Sequence, residues 1–198
     1  MTAGKRLFDL ACSAAGLVIL SPLLLLIALA LKLSSRGPVF FRQVRVGMGG
    51  APFRIWKFRT MVEGAERQGG ALTVGADPRI TRAGRLLRAT KLDELPQLFN
   101  VLAGEMSLVG PRPEVARYVS GYTAEERRVL ELVPGMTDPA SIEYRDEARL
   151  LAGRADPERA YVEEIAPRKI RLNLEYAARA TRWSDFVIIV KTVAHLGR

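Results

Sequence analysis

Asp93 and Glu94 are adjacent carboxylates, followed two residues later by a proline in Leu92-Asp93-Glu94-Leu95-Pro96-Gln97. Proline lacks an amide hydrogen and clashes with the preceding turn, so a helix tolerates it only in its first turn. Leu95, Leu98, Phe99 and Leu102 recur at i, i+3, i+4 and i+7, which predicts a helix over 95–102 that starts near Asp93. At such a start the backbone N–H groups point outward and the helix dipole is positive. Two carboxylates there can simply cap the helix. They can equally hold a nucleophile, a divalent cation and a phosphate in one small space. Aspartate attacks phosphoryl groups without help from His or Cys.

Cations surround this pair in the sequence. Arg88 and Lys91 lie just upstream. Arg112 sits between Pro111 and Pro113, on a stiff backbone that suits a planar guanidinium for bidentate phosphate binding. Val39 to Val46 and Phe53 to Arg59 read as the two strands of a β-hairpin around Gly47-Met48-Gly49-Gly50. A period of two places Phe53, Ile55, Lys57 and Arg59 on one face. Arg79, Arg82, Arg85 and Arg88 recur every third residue, which predicts an amphipathic helix whose arginine stripe meets lipid phosphates. Each of these cations also has a bland reading as a solvated surface charge.

The elements that must position these residues begin with an apolar run. Leu10 to Leu31 carries no charge. About 22 residues make roughly 33 Å of straight helix, just enough to cross a bilayer core. No small-residue cleavage site follows, which argues against a signal peptide. Ser21-Pro22 falls mid-run, and both flanks are basic: Lys5 and Arg6 before, Lys32 and Arg36 after. The positive-inside bias then places both ends on the cytoplasmic side. A re-entrant helix broken at Ser21-Pro22 satisfies both facts better than a kinked span, and Ser21 can bond back to a carbonyl that the proline frees. Residues 62–77 are rich in Gly and Ala and read as a loop. Residues 158–180 are helical in pattern but interrupted at Pro167. The tail from Trp183 to Lys191 begins with a cap-like Ser184 and suits either the membrane interface or the core.

Composition narrows the chemistry. The 198 residues carry a formal charge of +9 and are 48% hydrophobic, which fits one folded domain with an anionic partner. Cys12 is the only cysteine and His195 the only histidine, three residues from the end. An internal disulfide and a thiolate zinc site are excluded, and the lone histidine argues against Ser-His-Asp or Cys-His catalysis. A metal would take oxygen ligands, which favours magnesium or manganese. No nucleic-acid recognition motif accompanies the charge.

Several motifs in order resemble one family. Gly37-Pro38-Val39-Phe40-Phe41-Arg42-Gln43, Lys57-Phe58-Arg59-Thr60-Met61, Leu92-Asp93-Glu94-Leu95-Pro96-Gln97 and Ser107-Leu108-Val109-Gly110-Pro111-Arg112-Pro113 are similar to the bacterial sugar transferases, small monotopic phosphoglycosyl transferases. The Ser21-Pro22 break matches as well. The resemblance covers nearly the whole chain and is densest from residue 4 to 137. It implies an α+β, mainly helical protein: a re-entrant membrane helix over 1–36, then a cytosolic, membrane-associated catalytic domain over 37–198 with a β-hairpin and interfacial helices. It implies transfer of a sugar-1-phosphate from a nucleoside diphosphate sugar, a UDP-sugar, to polyprenyl (undecaprenyl) phosphate, at the start of a glycoconjugate or exopolysaccharide pathway. Asp93 would be the nucleophile. Glu94, with Asp93, would bind Mg2+ or Mn2+, and Arg112, Lys57, Arg59 and Arg88 would contact phosphates. The implied location is the cytosolic face of a bacterial inner membrane, among membrane lipids, with room for a homodimer and no nucleic-acid partner. The chain reads as the minimal catalytic unit of such an enzyme. One stretch departs from the pattern. Many members read Pro-Gly-Ile-Thr-Gly and then Gln, whereas here Pro134-Gly135-Met136-Thr137 runs into Asp138-Pro139-Ala140-Ser141. That departure leaves the sugar open. The rival class is a basic, membrane-anchored binding protein in which Asp93-Glu94 only caps a helix.

Overall fold

A computed structural model describes residues 2–34, 36–65, 68 and 72–195. Among them the protein is mainly helical, with two small two-stranded sheets. Helix α1 (Ala3–Ser34) stays helical through Pro22, so the expected break is not an interruption of secondary structure. The physical reason lies in one hydrogen bond. Pro22 cannot donate to the carbonyl of Val18, and the Ser21 hydroxyl donates to that carbonyl instead, at 2.8 Å. Among the described residues α1 is the one helix long and apolar enough to cross a membrane. Val18, Ile19, Leu25, Leu26 and Leu33 lie exposed along it.

The strands β1 (Phe40–Val46) and β2 (Pro52–Phe58) form the expected antiparallel hairpin, with Phe41 opposite Lys57. Phe58 joins Ile27 and Leu31 of α1 and Leu87 in one buried cluster, so the hairpin packs on the C-terminal half of α1. Ile55 faces the other way, into a cluster with Val101 and Met106. Helix α2 (Arg82–Ala89) is capped by Thr81, whose hydroxyl accepts from Gly84 N at 2.9 Å. Gly84 is required there: a Cβ would stand 1.9 Å from the carbonyl oxygen of Thr60. The loop expected over 62–77 is closed at its base, where Val62 N donates to Arg79 O and Thr81 N to Thr60 O. Residues 66, 67 and 69–71 of that loop lie outside the described residues.

The Asp93-Glu94 stretch is a 3-10 turn, Leu92–Gln97, that runs into α3 (Leu98–Ala103). The helix predicted over 95–102 therefore exists, but its first turn is the tighter form. After α3 come β3 (Ser107–Val109), α4 (Ala116–Val119), a 3-10 turn (Glu126–Glu131) and β4 (Gly135–Thr137), parallel to β3. Gly110 and Gly135 approach so closely that a Cβ on Gly135 would stand 2.1 Å from Gly110 N. Helices α5 (Pro139–Glu143), α6 (Glu147–Ala152) and α7 (Pro157–Ala160) follow. The expected interruption at Pro167 is a π-helical turn, Tyr161–Ile165, just ahead of α8 (Ala166–Ala177).

Helix α9 (Arg182–His195) starts one turn earlier than Ser184 suggested. Thr181 caps it, and Ser184 reciprocates: Thr181 Oγ1 accepts from Ser184 N at 3.1 Å and Ser184 Oγ from Thr181 N at 2.8 Å. The two faces of this tail differ. Asp185 and Ile188 face inward, while Trp183, Phe186, Val190 and Val193 form an exposed apolar stripe.

Candidate active site

The first turns of α1 clamp the elements that carry the site. Arg6 donates to the carbonyls of Val101 (2.6 Å) and Leu102 (2.9 Å), and so caps the C-terminal end of α3. Asp9 is fully buried and accepts from Leu108 N in β3 at 3.2 Å. Lys5 pairs with Asp185 of α9. The basic flank read from the sequence as a topology signal is thus also a set of tertiary anchors. Asn100 ties α3 to the hairpin. It is fully buried, accepts from Trp56 N at 2.9 Å and donates to Arg54 O at 2.9 Å. This docking sets the 3-10 turn beside Lys57.

Glu94 and Asp93 then take different roles. Lys57 Nζ reaches Glu94 Oε1 at 2.8 Å. Arg112 engages the same carboxylate with both terminal nitrogens, Nη1 on Oε2 at 2.9 Å and Nη2 on Oε1. Burial alone would push the Glu94 carboxyl up, but Arg112 and Lys57 together hold it well below the ordinary carboxylate range. Burial pushes the Lys57 ammonium down, with Glu94 opposing. Asp93 is 6% exposed, and its Oδ1 has no hydrogen-bond partner among the described residues. Burial and then the charge of Glu94 push its carboxyl up, against the pull of Lys57, Arg88 and Lys91. Asp93 is not a cap. The residue at the cap position is Lys91, and no side chain bonds there. Lys91 has φ 56°, the one left-handed backbone outside glycine among the described residues. This left-handed residue lies two positions ahead of the buried Asp93 carboxylate, and backbone strain of this kind clusters at active sites and switch regions.

The other expected cations are placed as follows. Arg88 turns inward, with Nε on Thr60 Oγ1 at 2.9 Å and Nη1 on Thr73 Oγ1 at 3.1 Å, close enough to Asp93 to feel its charge. Arg59 lies one residue beyond β2, is buried, and donates to Leu31 O at 3.4 Å, at the seam between α1 and the hairpin. Arg79 precedes α2 and pairs with Asp77 at 2.7 Å, which leaves Arg82 and Arg85 as the exposed members of the expected stripe.

Among the described residues no three His, Cys, Asp or Glu side chains come together as a metal cluster. Magnesium binds through one or two carboxylates and keeps water or substrate phosphate as its remaining ligands. Asp93 Oδ1 fits that minimal role. Both Glu94 oxygens are already engaged, so Glu94 could join only by releasing a cation.

The geometry is thus a buried carboxylate with one oxygen unbonded among the described residues, beside three cations. Residues 1–198 match the sequence model of the family described as bacterial sugar transferase. The chain belongs to that family. It is therefore a transferase. The chain is 40% identical over 195 residues to a UDP-glucose:undecaprenyl-phosphate glucose-1-phosphate transferase of Caulobacter vibrioides, covering 97% of this chain and 69% of that protein. It is 39% identical over 197 residues to the transferase of the same name from Escherichia coli K12, covering 96% of this chain and 39% of that protein. It is 37% identical over 194 residues to a UDP-N-acetylgalactosamine-undecaprenyl-phosphate N-acetylgalactosaminephosphotransferase of Aeromonas hydrophila, covering 96% of this chain and 42% of that protein. The chain thus spans about two fifths of the length of the latter two. The names differ in sugar while the lipid phosphate stays the same.

Proposed function

We propose that this transferase moves a sugar-1-phosphate from a UDP-sugar to undecaprenyl phosphate through a phosphosugar ester on Asp93. The observation that carries the reading is the free, buried Oδ1 of Asp93 beside a Glu94 that two cations hold in place. An oxygen of Asp93 attacks the sugar-bearing phosphorus, and the bond from that phosphorus to the nucleotide oxygen breaks. UMP leaves. An oxygen of the lipid phosphate then attacks the same phosphorus, and the carboxylate of Asp93 departs. Both nucleophiles are anions, so neither step needs a base, in keeping with a chain whose one histidine is at its end. The barrier is charge repulsion, and Lys57, Arg88 and Arg112 stand where they lower it. Magnesium, held by Asp93 and the substrate diphosphate, would neutralise further charge.

A nucleotide-release assay over a panel of UDP-sugars with undecaprenyl phosphate and magnesium tests this reading. One sugar should release UMP only when lipid is present beyond the first turnover. No release with any of them would overturn the reading.

Membrane placement belongs to the same proposal. Helix α1 enters and leaves the cytosolic leaflet of the inner membrane, and the exposed stripe of α9 lies in the interface. Its Trp183 suits the headgroup level. Cysteines at positions 2 and 36, in a Cys12→Ser background, should react with an impermeant thiol reagent from the same side. Labelling from opposite sides would mean that α1 spans.

A further inference from the structure

The loop that presents Arg112 is held from behind by groups that the transfer scheme does not use. Arg45, near the end of β1, donates from Nη1 to Pro113 O at 3.2 Å. Val46 N donates to Glu114 O at 2.8 Å. The Glu114 carboxylate faces Arg45, with Oε2 3.8 Å from its Nη1, and also accepts from Val115 N at 3.1 Å. Its other oxygen, Oε1, accepts from the Tyr161 hydroxyl at 2.6 Å. Tyr161 is 2% exposed and is wedged against Tyr118, with ring centroids 5.1 Å apart. The Arg45 guanidinium is near enough to Arg112 and Glu94 to feel both charges.

Tyr161 is the first residue of the π-helical turn. A π turn inserts an extra residue and redirects the side chains at its ends, and such turns gather at functional sites. Pro167 follows closely and cannot donate to the carbonyl of Glu163, so a regular α-helix is already interrupted here. The redirected Tyr161 spans from the C-terminal helices to the loop of Arg112, 47 residues away in sequence from its partner Glu114.

We infer that Tyr161, acting through Glu114 and Arg45, is a positioning residue that fixes the Arg112 guanidinium for phosphate. The inference rests on the transfer reading above and extends it to a part of the chain far from Asp93. Tyr161 does not touch substrate. Its hydroxyl keeps the Glu114 carboxylate turned toward Arg45, and Arg45 in turn holds the carbonyl next to Arg112.

Tyr161→Phe tests this, because it deletes one oxygen and keeps the ring on Tyr118. Two readouts apply. Without substrate, hydrogen exchange at the amides of Val46 and Val115, both bonded to Glu114, should accelerate in the variant. In turnover, kcat/KM for the UDP-sugar should fall roughly tenfold, as for loss of a hydrogen bond to a charged group. In an Arg112→Lys background the same change should cost less than twofold, because the fork it positions is gone. Glu114→Gln should reproduce the pattern and serves if Tyr161→Phe folds poorly. Unchanged exchange at both amides overturns the inference, and so do losses from Tyr161→Phe and Arg112→Lys that multiply. A wild-type chain without turnover would count against the transfer reading, while the exchange result would still decide the coupling.

Discussion

Asp93→Asn should remove at least a thousandfold of kcat, a loss typical when a covalent nucleophile is deleted, while the protein stays folded. An amide of nearly the same shape cannot form the phosphoester. The rival reading, a helix cap, makes the opposite forecast, since asparagine caps as well as aspartate does. The geometry already weighs against a cap, because no side chain bonds at that position. Stability should move the other way. Folding raises the Asp93 carboxyl above its ordinary range, chiefly through burial. A raised acid contributes stability fully present below its unfolded pKa and lost as pH rises through the folded pKa. At neutral pH the ionised Asp93 is therefore a cost to the fold, and Asn removes it. The melting temperature of Asp93→Asn at pH 7 should equal or exceed that of the wild type. The same raised pKa predicts that kcat climbs with pH as Asp93 ionises. In the wild type, UDP-sugar and magnesium without lipid should leave a phosphosugar on Asp93, visible by intact-protein mass spectrometry. Full turnover by Asp93→Asn would return the pair to a structural role.

What the sequence made legible were features carried by neighbours along the chain. The Asp-Glu pair two residues before a proline, the hairpin around Gly47–Gly50 and the apolar run all depend on spacings of a few residues. Even there, spacing misled at Arg79, Arg82, Arg85 and Arg88. Arg79 lies ahead of α2, and on the helix each step of three residues falls about 60° short of a full turn, so the two steps from Arg82 to Arg88 carry the series roughly 120° round. Arg88 consequently points to Thr60 and Thr73, while Arg82 and Arg85 face outward. The split between Asp93 and Glu94 was not legible, because it depends on which carboxylate meets Lys57 and Arg112 across long stretches of chain. The same holds for Asp9 on Leu108 N and Arg6 on the end of α3, contacts between residues 95 to 99 apart. A charged residue within one turn of an apolar helix was the only available hint at Asp9. Nothing local marked the left-handed backbone of Lys91, a residue type with no preference for it.

The division of labour between the two acids makes a second prediction of similar size, at Glu94. Its side chain is 16% exposed, Lys57 is 16% exposed and Arg112 is 29% exposed, so three charges share a mostly dry space. Glu94→Gln leaves two cations there without the anion that bonds both. Breaking a buried pair in this way costs about 3–5 kcal/mol, and the partial exposure of Arg112 favours the lower end. The sign against pH follows from the direction of the shift. The folded carboxyl lies well below its ordinary value, with Arg112 and Lys57 outweighing burial. Its contribution is therefore fully present above the unfolded carboxylate range and is lost as pH falls through the folded value. Thermal unfolding at pH 7 should show a large difference between wild type and Glu94→Gln, and the gap should narrow in strong acid. Arg112→Lys should be milder for stability, because Lys57 still neutralises Glu94. It should lower kcat/KM by roughly ten- to a hundredfold, since an ammonium cannot make two parallel bonds to carboxylate or phosphate. The two variants together separate the fork from the charge. If Arg112→Lys keeps wild-type turnover while Glu94→Gln unfolds, the clamp is there to hold the turn of Asp93, and the phosphate contact must fall to Arg88 and Lys57.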